Sequence, residues 1–217
     1  GETVKAGDVV FFDKTNPAVK YVAPVSGEII SVNRGPKRRI DEIVILADKD
    51  ISYKSFNPVS LDNRGKVVEF LLESGGFSLL RQRPYNVAAT PDAIPTNIFV
   101  STFDSAPLAP DLNFVIQGKE AAFQKGLDVL RTLTNGQVHL GLDASKEVSP
   151  AFANATGVKK TYFNGKHPVG NVGIQIHHTT PINKGEVVWT IDVQAVATIG
   201  TLFLEGKYDA SRVVALT

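Results

Sequence analysis

The residues best suited to chemistry lie in one stretch, residues 165–183, which reads GKHPVGNVGIQIHHTTPIN. It contains three of the chain's four histidines, His167, His177 and His178, and it includes Gly170. The β-prone run at residues 159–163 predicts a strand that ends in this loop, and ligands of open α/β sheets bind at such strand ends. We therefore predict a loop over residues 165–183 that contacts a ligand or a partner protein, or is simply a packed, hydrogen-bonded loop.

The spacing of these residues argues against two kinds of site. Gly165, Gly170 and Gly173 do not follow the G-x-G-x-x-G pattern, and no Lys-Ser/Thr pair completes a P-loop, so phosphate binding is disfavoured. Adjacent histidines such as His177 and His178 would point to opposite sides of a strand, and no nearby carboxylate completes a metal shell. We predict no metal site.

A second loop has residues that could reach the same place. Phe103 and Asp104 follow a short apolar run at residues 98–102, and two prolines come soon after them. This loop could line a pocket beside residues 165–183, or it could be a rigid turn, and the sequence leaves both open. There is no G-x-S-x-G elbow, although a Ser-His-Asp triad assembled in space is not excluded.

The elements that position these loops alternate between strands and helices over residues 61–217. Helical periodicity predicts a helix after Asp62-Asn63 that ends before Gly75, and further helices at residues 119–133 and 193–204. A short helical turn is expected at residues 150–154. Apolar or β-prone runs predict strands at residues 98–102, 138–142, 159–163, 187–191 and 208–215. This alternation predicts a Rossmann-like, three-layer α/β domain.

Residues 1–47 have a different pattern, in which short β-rich runs alternate with Gly turns. Strands are predicted at residues 9–12, 43–46 and within residues 23–32, where Ser26-Gly27 forms the turn, and a linker follows at residues 48–60. The arrangement resembles the barrel-sandwich hybrid of lipoyl and biotinyl domains, in which a modified lysine occupies an exposed turn. Lys14 stands near that position, but its turn is longer than the usual one. We expect Lys14 to be unmodified, because a fold does not carry its function with it.

Charge and composition bound the remaining classes. The net charge of +1 gives no reason to expect nucleic-acid binding. The absence of cysteine excludes disulfides and thiolate metal sites, and no apolar run is long enough to span a bilayer. The absence of methionine and the abrupt β motif at the start suggest a fragment of a longer protein. One local cluster, Arg34, Lys37, Arg38 and Arg39, could contact lipid head groups or an acidic partner, or it could be a solvated turn.

Six blocks, in order over essentially the whole chain, carry a resemblance to a known family. The blocks are VKAGDVVFFDKTNPAVKYVAPVSGEIISVNRGPKRR, GFSLLRQRPYN, IFVSTFDSAPLAPD, EAAFQKGLDVLRTLTNG, GKHPVGNVGIQIHHTTPIN and VQAVATIGTLFLEGKYDASRVVAL. Together they resemble the NqrA component of the bacterial Na⁺-translocating NADH:quinone oxidoreductase, the Nqr complex. That family is similar to the C subunit of the Rnf complex and, more distantly, to the NADH- and FMN-binding subunit of complex I.

The resemblance implies a function and a place in the cell. It implies a peripheral subunit on the cytoplasmic face of the bacterial inner membrane, resting on the membrane component NqrB and taking part in the quinone end of the complex. Ubiquinone or partner contacts would then fall to Phe103, Asp104, His167, Gly170, His177 and His178. FMN, FAD, the 2Fe-2S centre and Na⁺ would belong to other subunits. This cysteine-free chain would have no cofactor and no independent activity. The alternative is a purely structural docking module.

Overall fold

The computed structural model describes residues 1–216. Its strands are β1 (Thr3–Val4), β2 (Val9–Phe12), β3 (Lys20–Val22), β4 (Gly27–Arg34), β5 (Ile40–Ala47), β6 (Arg81–Arg83), β7 (Val87–Ala88), β8 (Asn97–Ser101), β9 (Gln137–Asp143), β10 (Lys159–Phe163) and β11 (Val188–Thr190). Its α-helices are α1 (Arg64–Glu73), α2 (Leu112–Val115), α3 (Glu120–Leu133), α4 (Pro150–Ala153), α5 (Val172–Thr179) and α6 (Val193–Glu205). Single 3₁₀ turns occur at Pro36–Arg38 and Gly76–Leu79.

The N-terminal unit consists of two small antiparallel sheets, β1-β4-β5 and β2-β3. β4 and β5 form a long hairpin whose register runs from Gly27 opposite Ala47 to Arg34 opposite Ile40. The hairpin extends beyond the predicted strands, and its turn is the 3₁₀ segment Pro36–Arg38. The basic cluster therefore lies at the tip of a two-stranded arm.

The second unit is built on a six-stranded sheet with the order β10-β9-β8-β11-β6-β7. The neighbours from β10 to β11 are parallel, whereas β6 and β7 are antiparallel additions at the β11 edge. From β8 the chain moves outward through β9 to β10 and then returns to the other side of β8 as β11. The strand order thus reverses between β8 and β11.

Alternation along the strands sends apolar side chains to both faces of this sheet. One face carries Ile98, Val100 and Leu140 into the main core, which also contains the buried residues of α1, α3 and α6. The other face carries Phe99 and Val188, which pack against Ile176 of α5. Helices on both faces make this the predicted three-layer arrangement.

Helix ends follow ordinary capping chemistry where the sequence predicted helices. The Asn63 side chain accepts a hydrogen bond from the Lys66 backbone N–H and starts α1. Asp192 does the same for α6 through the Ala195 backbone N–H, and Gly206 ends α6 with a left-handed φ of 66°. The predicted helices at residues 119–133 and 193–204 are confirmed as α3 and α6.

Within residues 1–216, no helix has the length and apolar character needed to cross a membrane.

Two predictions were wrong. Residues 165–183 are not all loop, because Asn171 caps the eight-residue helix α5 by accepting from the Gly173 backbone N–H. The predicted strand at residues 208–215 does not form. That segment instead runs back along α6, where the Gln194 side chain donates to the Val213 carbonyl at 3.0 Å and accepts from the Val213 N–H at 2.8 Å. These bonds satisfy both backbone groups of Val213 outside the sheet.

Candidate functional site

The cavity that best fits a ligand site lies where the strand order reverses, at the carboxyl ends of β8 and β11. Open α/β sheets bind their ligands in the crevice at this kind of switch point. The cavity has a volume of about 600 Å³, which is within the usual range for small-molecule sites of roughly 300–1,000 Å³. Its lining comes from the ends of β6, β8 and β11, from α2 and from the loop before α5. It consists of Ser78, Leu79, Arg81, Arg83, Ser101, Phe103, Asp104, Ala106, Leu112, His167, Gly170, Asn171, Val172, Thr190, Ile191, Asp192 and Arg212.

A buried glutamine fixes α5 above the end of β8. The Gln175 side chain, only 1% exposed, donates from Nε2 to the Ser101 hydroxyl at 2.9 Å and to the Val169 carbonyl at 3.3 Å. Its Oε1 occupies the space where a side chain at residue 141 would stand, so Gly141 is required for the fit. The position of the α5 wall therefore depends on contacts from two neighbouring strands.

The two loops predicted as ligand contacts meet at Gly170. A Cβ on Gly170 would overlap the backbone of Asp104 and Ser105, and the Gly170 N–H donates to the Ser105 hydroxyl at 2.9 Å. That hydroxyl also lies 3.1 Å from His167 Nδ1. The structure thus brings Phe103, Asp104, His167 and Gly170 to one cavity.

His177 and His178 lie outside this cavity. They occupy the last turn of α5, both exposed, with their rings edge to face and their centroids 5.2 Å apart. On this helix the two side chains leave neighbouring faces, because successive helical positions are separated by only about 100°. His177 lines a separate hollow of about 280 Å³ beside Arg83 and Pro84. No group of three or more metal-binding side chains occurs in the part of the chain that the structure describes.

The three arginines of the cavity were not among the sequence candidates: Arg81, Arg83 and Arg212. Arg81 and Arg83 are two residues apart on β6, where they pair with Thr190 and Val188 of β11. Two arginines spaced i and i+2 share one face of any strand, and that spacing was the available signal. Arg212 comes from the segment behind α6 and pairs with Asp192 at 3.1 Å.

The remaining candidates lie in the N-terminal unit. Arg34, Lys37, Arg38 and Arg39 are all exposed at the tip of the β4–β5 arm. One of them is paired within the chain, since the Arg39 guanidinium contacts the Asp41 carboxylate at 2.9 Å. Lys14 is exposed in the loop between β2 and β3.

A second hollow is larger, about 1040 Å³, but lies at the opposite edge of the sheet. It is formed around the amino ends of β9 and β10 by residues that include Asp128, Arg131 and Lys159. Ligands of open α/β sheets bind at the carboxyl ends of the strands. We therefore take the cavity at the strand-order reversal as the candidate site.

A buried histidine lies beneath the α5 side of the sheet. His139 is 4% exposed, stacks on Phe99 with the ring centroids 4.3 Å apart, and has its Nε2 3.2 Å from Asn97 Oδ1. Because an amide oxygen only accepts, Nε2 carries the proton of the neutral ring. Nδ1 is buried and has no hydrogen-bond partner within residues 1–216. Burial, with a smaller contribution from Lys159, lowers the pKa of His139 to about 4.

This low pKa predicts a loss of stability in mild acid. The unfolded chain protonates His139 near its ordinary pKa of about 6.5, whereas the folded protein resists protonation down to about 4. Stability is therefore full above pH 6.5 and falls as pH decreases toward 4. At pH 5 the free energy of unfolding should be about 2 kcal/mol lower from this group alone. Urea unfolding at pH 7 and pH 5 measures it, and His139→Gln should remove most of the difference. An equal pH dependence in that variant would show that other groups cause it.

Comparisons with known proteins give the same family at both ends of the chain. Residues 1–48 match the model described as the NqrA N-terminal barrel-sandwich hybrid domain, and residues 62–208 match the NqrA second alpha/beta domain. The predicted order, a barrel-sandwich hybrid followed by an α/β domain, is thereby confirmed.

Similar full-length proteins share one name, that of the A subunit of the Na(+)-translocating NADH-quinone reductase. The protein from Alcanivorax borkumensis is 42% identical over 223 residues, that from Hahella chejuensis 41% over 221 and that from Vibrio atlanticus 39% over 221. In each case the match covers 100% of this chain and 49% of the relative. The chain therefore spans about half the length of the curated relatives that it matches.

Proposed function

This chain belongs to the NqrA family of the Na⁺-translocating NADH-quinone reductases, and on that premise we propose that it forms part of the quinone end of such a complex. The observation that carries the proposal is the cavity at the strand-order reversal. The two loops singled out in the sequence meet there, at the place where α/β folds hold small molecules.

The lining of the cavity suits a quinone ring. A quinone needs an apolar slot with one or two hydrogen-bond donors at its carbonyl oxygens. Leu79, Phe103 and Val172 provide apolar walls, while Arg83 and His167 provide N–H groups. Ubiquinone is the member of this class that we propose. His177 and His178 would contribute only through partner contacts, since neither lines the cavity.

We assign no redox cofactor to this chain. With no cysteine, it has no thiolate to ligate an iron–sulfur centre. In the proposed complex FMN, FAD, the 2Fe-2S centre and Na⁺ belong to other subunits. The chain has no independent activity under this proposal and acts within a sodium-translocating NADH:quinone reductase.

The basic arm is the proposed docking element. Its cations at Arg34, Lys37 and Arg38 project from the hairpin tip without a carboxylate within 4.0 Å in residues 1–216. Such an exposed basic tip fits an acidic surface of a partner or anionic lipid heads. We propose that it meets the membrane component NqrB, with the chain peripheral on the cytoplasmic face of the inner membrane.

A photoreactive quinone analogue on the assembled complex tests this function. The expected result is covalent labelling within residues 101–104 or 167–172, reduced by excess unlabelled quinone. Labelling confined to other subunits would remove the quinone role and leave the alternative, a structural docking module without a ligand of its own.

A further inference from the structure

Two arginines of the cavity lack carboxylate partners. Arg81 and Arg83 stand on one face of β6, next to β11, and both line the cavity. No carboxylate lies within 4.0 Å of either guanidinium in residues 1–216. The Nε of Arg83 is buried and has no hydrogen-bond partner there. The residue as a whole is only partly buried and Arg81 is exposed, but a buried N–H donor without a partner is costly, which is why such donors are normally hydrogen-bonded.

The acidic groups of the same cavity are already engaged. Asp192 caps α6 and pairs with Arg212 at 3.1 Å. The Asp104 carboxylate is exposed and accepts a hydrogen bond from the Ala106 backbone N–H at 2.8 Å. Neither neutralises the β6 arginines, so the β6 side of the cavity keeps an excess of positive charge.

The first turn of α5 adds to this excess. The Arg83 guanidinium lies against it, since a Cβ built on Gly173 would be 3.6 Å from Arg83 Nη1. The N-terminus of a helix carries a partial positive charge. Arg83 therefore stands between a second arginine and a helix end, an arrangement that favours an incoming oxyanion.

We propose that the cavity binds the anionic form of its ligand, with Arg83, assisted by Arg81, holding an ionised oxygen. The inference rests on the proposed quinone function, and for a quinone the group is the deprotonated ring oxygen of a quinol or hydroxyquinone. Arg83 thus sets the charge preference of the site, and His167 and the apolar walls receive the neutral part of the ring.

Lawsone and its O-methyl ether are a matched pair of probes. Lawsone is a hydroxynaphthoquinone that is ionised at neutral pH, whereas the ether keeps the ring but has no charge. Binding of both is measured to the full-length protein at pH 7 by titration calorimetry. The variants are Arg83→Gln and Arg83→Lys, with Arg131→Gln as a control because Arg131 is an exposed arginine of α3 outside the cavity.

The wild type should bind lawsone about 10-fold tighter than the ether, the difference expected for one charge-assisted hydrogen-bonded pair. Arg83→Gln should abolish this preference, Arg83→Lys should keep part of it, and Arg131→Gln should not change it. Unchanged thermal unfolding of each variant checks that it is folded. The partly preserved preference in Arg83→Lys separates loss of charge from loss of fold.

Every other outcome contradicts the charge preference, the role of Arg83 or the quinone function. Equal binding of both probes to the wild type would overturn the charge preference and leave the quinone function standing. A preference that survives in Arg83→Gln would overturn the role of Arg83. Binding of neither probe would overturn the quinone function and this inference together. Tighter, Arg83-dependent binding of phenyl phosphate would assign the anion to a phosphate ester and contradict a quinone ligand.

Discussion

Replacing Gly200 by alanine is expected to lower the free energy of unfolding by about 3 kcal/mol or more. Gly200 lies in α6 where that helix crosses α3, and a Cβ there would overlap the carbonyl oxygen of Ala122. The contact is reciprocal, because a Cβ on Gly126 of α3 would overlap the carbonyl oxygen of Val196. Both obstacles are backbone atoms, so the helices would have to separate, and overpacking of this kind costs about 1–3 kcal/mol or more.

The expected loss of stability is opposite in sign to the usual effect of Gly→Ala in a helix. In an exposed helix, Gly→Ala stabilises by about 1 kcal/mol through helix propensity alone. Gly65→Ala on the exposed surface of α1 is therefore the matched control, with only the Asn63 side chain near the added methyl group. Urea unfolding at pH 7 compares both with the wild type. A Gly200→Ala variant as stable as Gly65→Ala would contradict the close crossing of α3 and α6.

The second large effect is expected at the junction of the two cavity loops. Gly170→Val should raise the quinone KM of the assembled reductase at least 10-fold, an estimate that corresponds to about 1.4 kcal/mol. The side chain would overlap the Asp104–Ser105 backbone and push the loop with Phe103 away from the loop with His167. Because both loops lie outside the main core, the stability of the fold should fall by no more than about 1–3 kcal/mol.

Two activity assays distinguish a defect in quinone binding from a defect elsewhere in the complex. NADH oxidation with an artificial electron acceptor should be unchanged in Gly170→Val, since that reaction does not need a quinone. Lys166→Ala, an exposed position in the same loop, is the control and should keep the wild-type KM. An unaltered quinone KM in a correctly assembled Gly170→Val complex would mean that the cavity does not serve the quinone.

Much of the fold was predictable from periodicity and capping. α3 and α6 were found because their apolar faces repeat with a helical period and polar or glycine residues mark their ends. β8, β9 and β11 were found because they contain short apolar runs between turn residues, and β10 because Thr161, Tyr162 and Phe163 favour a strand. Local pattern and tertiary structure agree in these elements.

The errors occurred where tertiary contacts decide the structure. α5 is short and contains Gly173, so its helix propensity is weak. Burial of its own residues Gln175 and Ile176 against the sheet stabilises it. Residues 208–215 are rich enough in β-formers to predict a strand. Hydrogen bonds to Gln194 and the Arg212–Asp192 ion pair hold that segment along α6 instead.

The candidate site was predictable in part. The meeting of Phe103 with His167 follows from the rule that the carboxyl ends of parallel strands share one edge of the sheet. Arg81 and Arg83 were missed because β6 is a three-residue antiparallel addition whose partner, β11, is more than 100 residues away. The proposed relation to the Rnf C subunit and to the complex I subunit stays a prediction from the resemblance.

A density map of the assembled reductase with a bound quinone analogue tests the central claim most directly. Analogue density is expected in the cavity between β8 and β11, with the ring beside Phe103 and Val172 and one oxygen within hydrogen-bond distance of the Arg83 guanidinium. An analogue bound wholly within other subunits, with this cavity closed or filled by a partner's side chains, would contradict it.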